Sequence, residues 1–201
     1  MSTHIFLIRH GETTWNVSER IQGVQDVPLT DAGKRQADEV AERFAQRTLS
    51  FAYTSPLSRA MITAATIAAP HHLKVVSEYD LREREYGSME GQPMMKWGKF
   101  YLEDSEAEGL AQPAADAETE AEVAQRMRRV LTMIAKEQSD KTGFLVSHGG
   151  TIQAFLREQF PKRFARLRPV KDIHNVGWVE LIVKGGDFRV GEMNGVDRVD
   201  S

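Results

Sequence analysis

Apolar positions along this chain follow two rhythms. Ile5-Phe6-Leu7-Ile8, Phe51-Ala52-Tyr53-Thr54, 74–77 and Phe144-Leu145-Val146 are short, nearly continuous runs, the pattern of strands buried on both faces. Between them apolar residues recur at helical spacing. Ala37, Val40, Ala41 and Phe44 follow a Thr30 N-cap. An Ala-rich helix is predicted over 57–68, stopped by Pro70. A long helix over 119–136 carries Val123, Met127, Val130, Leu131 and Ile134 on one face, and another begins at Thr151 and runs to 159. Runs 178–184 and 188–190 flank Gly185-Gly186, a hairpin signal, and the tail from Gly195 is expected to fray. Strands alternating with helices predict an α/β fold with a mostly parallel sheet.

Two segments escape these rhythms. A Gly-containing loop spans 12–29. From 88 to 117 the pattern loosens: Met94, Met95, Trp97, Phe100 and Tyr101 cluster, followed by an acidic, Ala-rich run. About thirty residues cannot build a core alone, so this segment is expected to be a small cap inserted over the strand ends of a single domain, 1–201. Such an apolar cluster is more often core packing than substrate pocket, and a partly apolar leaving-group pocket is the other reading.

Composition narrows the functional classes. The chain has 201 residues, a net charge of −3 and a pI near 6.1, so no global basic field points to nucleic acid or a membrane surface. It lacks cysteine, which excludes disulfides, thiolate metal sites and a cysteine nucleophile. No apolar stretch is long enough to span a bilayer, and the N-terminus lacks the pattern of a signal peptide, so a cytoplasmic location is expected.

The chemistry gathers where strands end. Ile8-Arg9-His10-Gly11 and Val146-Ser147-His148-Gly149 close two strands in the same way. In a parallel sheet both ends lie on one edge, where open α/β sheets bind ligands. The second opens a helix whose free N–H groups favour an anion. Arg59 stands at the start of another helix on that edge, and Glu83 follows a third strand. Singly, each has an ordinary structural explanation: a hydrogen-bonded strand-end His, a solvated helix-start Arg, a surface charge run. Their coincidence on one edge is an inventory for phosphoryl transfer. Two His and a Glu could instead hold a metal, but Arg9 and Arg59 would oppose a divalent cation, so no metal is expected.

Leu7-Ile8-Arg9-His10-Gly11-Glu12-Thr13-Thr14-Trp15-Asn16 resembles the signature of the histidine phosphatase superfamily, the phosphoglycerate-mutase-like proteins. The resemblance continues through Arg20-Ile21-Gln22-Gly23, Ser55-Pro56-Leu57-Ser58-Arg59-Ala60, Leu81-Arg82-Glu83, Tyr86-Gly87 and Ser147-His148-Gly149-Gly150, in family order. It implies a three-layer α/β/α fold. It also implies His10 as nucleophile through a phosphohistidine, and Arg9, Arg59 and His148 as ligands of the transferring phosphoryl group. Glu83 would be the proton donor to the leaving group. Asn16 and Gln22 would add hydrogen bonds, with Gly23, Gly149, Arg84 and Tyr86 completing the binding surface. A small phosphorylated metabolite is the implied partner.

The superfamily contains phosphatases and mutases. Gln22 before Gly23 and Gly150 after Gly149 resemble the broad-specificity phosphatase branch. Between 88 and 122 stand only Lys96 and Lys99 against nine Asp or Glu, a poor match to a highly anionic bisphosphate. Glu83-Arg84 and Tyr86-Gly87 resemble the mutase form. The expectation is therefore a metal-independent phosphatase without cofactor. The alternatives are a mutase using 2,3-bisphosphoglycerate and, more remotely, a non-catalytic phosphate-binding module.

Overall fold

A computed structural model of the chain describes residues 2–94, 116–164 and 172–197. Six strands form one sheet: β1 (Thr3–Arg9), β2 (Phe51–Thr54), β3 (Val75–Ser77), β4 (Thr142–Ser147), β5 (Ile173–Lys184) and β6 (Asp187–Val196), in the order β3-β2-β4-β1-β5-β6. The first four run parallel, and the β5–β6 hairpin joins β1 antiparallel.

Strand alternation builds the three layers. Ile5 and Leu7 of β1 pack with Leu145 against helices α4 (Glu120–Glu137) and α5 (Gly149–Gln159), through Met127, Leu131, Ile152 and Phe155. Phe6 and Ile8 point the other way, with Phe144 and Val146, onto α2 (Asp31–Phe44) and α3 (Ser58–Ala68). A period of two therefore sorts one buried run into two cores. Phe44 is fully buried, edge-on to Phe6 at 5.0 Å and to Trp178 at 5.2 Å, a burial worth about 2–3 kcal/mol. Two short helices, α1 (Thr14–Val17) and α6 (Pro161–Phe164), and three 3-10 turns, Ala69–His71, Tyr79–Leu81 and Gly87–Met89, complete the described elements.

Because β4 lies between β1 and β2, two strands distant in sequence end side by side. Arg9 pairs with Ser147, and the His10 N–H donates to the Ser147 carbonyl at 3.1 Å. The Ser55 N–H donates to the Val146 carbonyl at 3.0 Å. One edge of the sheet thus collects His10, His148 and Ser55.

The structure corrects several boundaries. Helix α5 starts at Gly149, two residues before Thr151, because His148 takes the extended N-cap conformation and the two glycines form the first turn. The hairpin strands are longer than the apolar runs suggest, since β6 is an edge strand whose polar residues hide its period. The expected frayed tail is also overturned as far as Asp197. Val196 pairs with Ile173, and the Asp197 N–H donates to the Asp172 carbonyl at 2.8 Å. The 12–29 loop contains α1, closed by a capping box between Thr13 and Asn16. Most of the expected cap, including Met95, Trp97, Phe100 and Tyr101, lies outside the described residues.

Candidate active site

His10 emerges from β1 almost fully buried, at 2% exposure. Its Nδ1 lies 2.7 Å from the Gly11 carbonyl oxygen. A carbonyl only accepts, so Nδ1 carries the hydrogen and Nε2 holds the lone pair. Burial first, then the Arg59 and Arg9 charges, hold the imidazole pKa well below 6.5. The ring is therefore neutral and in a nucleophilic tautomer at physiological pH.

His148 is equally buried, its ring centroid 5.0 Å from that of His10, but it is wired differently. The Arg59 Nε–H donates to its Nδ1 at 3.3 Å. A guanidinium cannot accept, so the proton sits on Nε2, which donates to Ser55 Oγ at 2.7 Å. Burial, with Arg59 next, also holds this ring neutral. Arg59 reaches the carbonyls of Gln25 and Gly23 with its two terminal nitrogens, at 2.6 and 2.8 Å. Arg9 donates through Nη1 to the Ile173 carbonyl at 2.6 Å. Burial lowers both arginines to about 10, so both stay charged at neutral pH.

Glu83 is seated on the N-terminus of α5. Its Oε1 accepts from the N–H of Arg84 at 2.8 Å, and from the N–H and hydroxyl of Thr151 at 2.9 and 3.0 Å. Its Oε2 accepts from Gly150 N–H at 3.1 Å. Gly150 is required for this seat: an added Cβ would lie 2.5 Å from the Tyr86 hydroxyl and 2.8 Å from Glu83 Oε1. Beneath it, buried Arg126 donates to the carbonyls of Asp80, Arg82 and Glu83 at 2.7, 2.8 and 3.2 Å, and pairs with Glu118. The loop carrying the carboxylate is thus pinned from α4.

A cleft opens over this edge, lined by Arg9, His10, Arg59 and Glu83 on its floor and by Arg20, Ile21, Gln22, Gly23, Tyr86 and Met94 on its walls. Glu90 staples the two walls together, accepting from the N–H groups of Val24 and Tyr86 at 3.1 and 3.2 Å and from the Gln25 amide at 2.8 Å. The staple fits because Gly23 adopts φ +52 and has no side chain where the Glu90 carboxylate lies.

Two histidines, two buried guanidiniums and a carboxylate gather at this edge, an arrangement chemically able to hold an oxyanion such as phosphate. The family model for the histidine phosphatase superfamily (branch 1) matches residues 5–195. The chain belongs to this superfamily. An uncharacterized phosphatase PhoE of Bacillus subtilis (strain 168) is 35% identical over 156 residues, 78% of this chain and 77% of that protein. A probable phosphoglycerate mutase GpmB of Yersinia enterocolitica is 36% identical over 159 residues, 76% and 72% of the two chains. Among solved structures, a His→Ala variant of phosphoserine phosphatase from Entamoeba histolytica, in complex with phosphoserine, superposes with a TM-score of 0.80. It is 27% identical and covers 97% of this chain and 98% of that one.

Within this histidine phosphatase fold the sequence-predicted residues separate. His10, Arg9, Arg59, Glu83, Gln22, Gly23 and Tyr86 line the cleft, and His148 and Gly149 lie directly behind it, where a Cβ on Gly149 would be 3.4 Å from Arg9 Nε. Arg84 is not brought to the cleft lining. Its Nε donates to the Glu118 carbonyl at 2.7 Å, its guanidinium lies 3.7 Å from Glu120, and it covers the Tyr86 ring. Asn16 spends its Oδ1 on the α1 cap. Sequence reasoning assigned no role to Ser55, Thr151 and Arg126. Ser55 sits inside a family-like motif and Thr151 in a helix first turn, which were usable signals. Arg126, on a helix face otherwise read as apolar, gave none.

Among the described residues no group of three His, Cys, Asp or Glu side chains is arranged to hold a metal ion, and no helix is long and apolar enough to cross a membrane.

Proposed function

We propose that this protein is a cytoplasmic, metal-independent phosphomonoester hydrolase acting through a phosphohistidine on His10. One observation carries the reading: the Nδ1–H bond to the Gly11 carbonyl, which leaves the Nε2 lone pair on a neutral imidazole beside two buried guanidiniums. In the first step Nε2 attacks phosphorus, the ester P–O bond breaks and Glu83 gives its proton to the departing alkoxide. In the second, water attacks phosphohistidine, Glu83 takes the water's proton, and the N–P bond breaks to release inorganic phosphate. Arg9 and Arg59 offset charge on the equatorial oxygens as fixed donors, the work a metal ion does elsewhere.

Hydrolysis is favoured over mutase chemistry by the acidic 88–122 sequence, where nine Asp or Glu stand against Lys96 and Lys99, a poor match to a highly anionic bisphosphate. Gly150, packed against Glu83 and Tyr86, also fits the phosphatase branch. The likeness to the GpmB protein keeps one second reading, a 2,3-bisphosphoglycerate-dependent mutase. The substrate class is a small phosphorylated metabolite, in keeping with the phosphoserine held by the Entamoeba enzyme. The test is incubation in EDTA with p-nitrophenyl phosphate, a metabolite phosphate panel, and 3-phosphoglycerate with and without 2,3-bisphosphoglycerate. Phosphate release without metal is expected. Phosphoglycerate interconversion with little phosphate released would establish the mutase instead.

A further inference from the structure

Strand β5 breaks its register beside the nucleophile. Ile173 pairs with Val196 and Trp178 with Asn194, so residues 174–177 stand opposite residue 195 alone. Within this bulge Val176 adopts φ +55, a left-handed conformation that β-branched side chains avoid. Gly177 lets the bulge close, since a Cβ there would lie 2.6 Å from the Gly195 carbonyl oxygen and 3.0 Å from that of His174. Strain of this kind persists only where surrounding structure imposes it, and it concentrates at functional sites.

The bulge delivers Asn175. Its Nδ2 donates to the His10 carbonyl at 3.1 Å and to Asn16 Oδ1 at 3.3 Å. The Val176 N–H reaches the same His10 carbonyl at 3.4 Å. Both amides have a forced sense. The His10 carbonyl only accepts, so it must face the NH2 of Asn175. The Thr13 N–H only donates, at 3.0 Å, so it must face the oxygen of Asn16, which also accepts the Thr13 hydroxyl at 3.1 Å. With three donors on its oxygen, Asn16 can offer an incoming oxyanion only its NH2 end.

We propose that Asn175 is a positioning residue that locks His10 and Asn16 into one phosphate-capturing unit, delivered by the strained bulge of β5. The inference rests on the reading of His10 as nucleophile and Asn16 as a phosphate contact. Asn175 touches neither phosphate nor the His10 ring; it fixes the backbone from which the ring projects and the sense of the neighbouring amide.

The experiment compares Asn175→Ala, the isosteric Asn175→Asp, Asn16→Ala and the double Asn16→Ala/Asn175→Ala variant. Readouts are p-nitrophenyl phosphate kinetics, orthovanadate affinity, melting temperature and trapping of phosphohistidine by an alkaline quench, because the N–P bond is labile in acid. Each Asn175 variant is expected to lower kcat/KM by roughly 10- to 100-fold and to weaken vanadate binding by about tenfold. The double variant is expected to lose less than the product of the single losses. Should Asn175→Ala fail to fold, Asn175→Asp carries the same expectation, because it keeps the shape while turning an acceptor toward two acceptors. Unchanged vanadate affinity in the folded variants, or losses that multiply, overturns the role of Asn175. A wild-type enzyme that turns over without phosphohistidine at His10 overturns the underlying reading instead.

Discussion

The two strand ends that face each other on this edge carry the same local text, an apolar run closed by a polar residue, His and Gly, yet the fold gives them opposite duties. At the end of β1, His10 spends its one hydrogen on the carbonyl of the next residue and keeps Nε2 for the cleft. At the end of β4, His148 has both nitrogens engaged, Nδ1 by Arg59 and Nε2 by Ser55. A nucleophile needs an unencumbered lone pair, and His148 holds its own against a guanidinium. Identical residues in parallel settings thus end with different atoms free: His10 keeps an open Nε2 lone pair, and His148 has both nitrogens engaged. The difference lies in the partners of His148, Arg59 and Ser55, which stand 89 and 93 residues away along the chain.

Deleting each ring separates the two duties most sharply. His10→Ala is expected to remove phosphohistidine and lower kcat by about 10⁴-fold or more. His148→Ala is expected to cost about 10²- to 10³-fold, the scale of one lost charge-stabilising group, while phosphohistidine still forms. Rapid-quench trapping followed by peptide mapping decides between them. A phosphorylated His148 would reverse the assignment.

A gentler perturbation touches only His148. Ser55→Ala removes the acceptor for the buried Nε2–H of His148, at a stability cost of about 1–3 kcal/mol. Turnover should fall by roughly tenfold or less, with phosphohistidine still confined to His10, as kinetics and chemical denaturation can show. A loss as deep as that of His10→Ala would mean that the two rings share one duty.

The smallest effect concerns what the rings have in common. Both have folded-state pKa values well below 6.5, chiefly through burial. Below about pH 6.5 the unfolded chain therefore binds more protons than the folded one, and stability falls as pH falls. The slope is at most about 1.4 kcal/mol per pH unit for each ring. Urea unfolding across the acid range should show this slope, and His148→Gln should remove about half of the pair's share. A slope unchanged by that substitution would indicate that the carboxylates account for the acid lability.

Much of this is legible in the sequence. Ile5-Phe6-Leu7-Ile8 announced a core strand, and the helical spacing around Val40 and Met127 announced helices, because burial on one or two faces imposes a period that short-range reading can detect. Arg9, His10, Arg59, Glu83 and His148 were named from strand ends and motifs, and all converge. Arg84 was named with them and went elsewhere, because Glu118, Glu120 and the Tyr86 face compete for its guanidinium. Arg126 and Asn175 were silent, since a buried arginine reaching backbone carbonyls and an asparagine on a bulge follow no local period.

The sequence by itself determined the alternation of strand and helix, the absence of thiol chemistry and the presence of residue types suited to an oxyanion at the strand ends. Those follow from side-chain chemistry and from periods of two and 3.6, which need no knowledge of the partner. Only the tertiary structure decided which histidine keeps a free lone pair, because a tautomer is set by whatever lies at hydrogen-bond distance from each ring nitrogen. It likewise decided that Glu83 rests on the first turn of α5 and that Asn175 reaches His10, contacts made by a strand order and a register break that no single segment encodes.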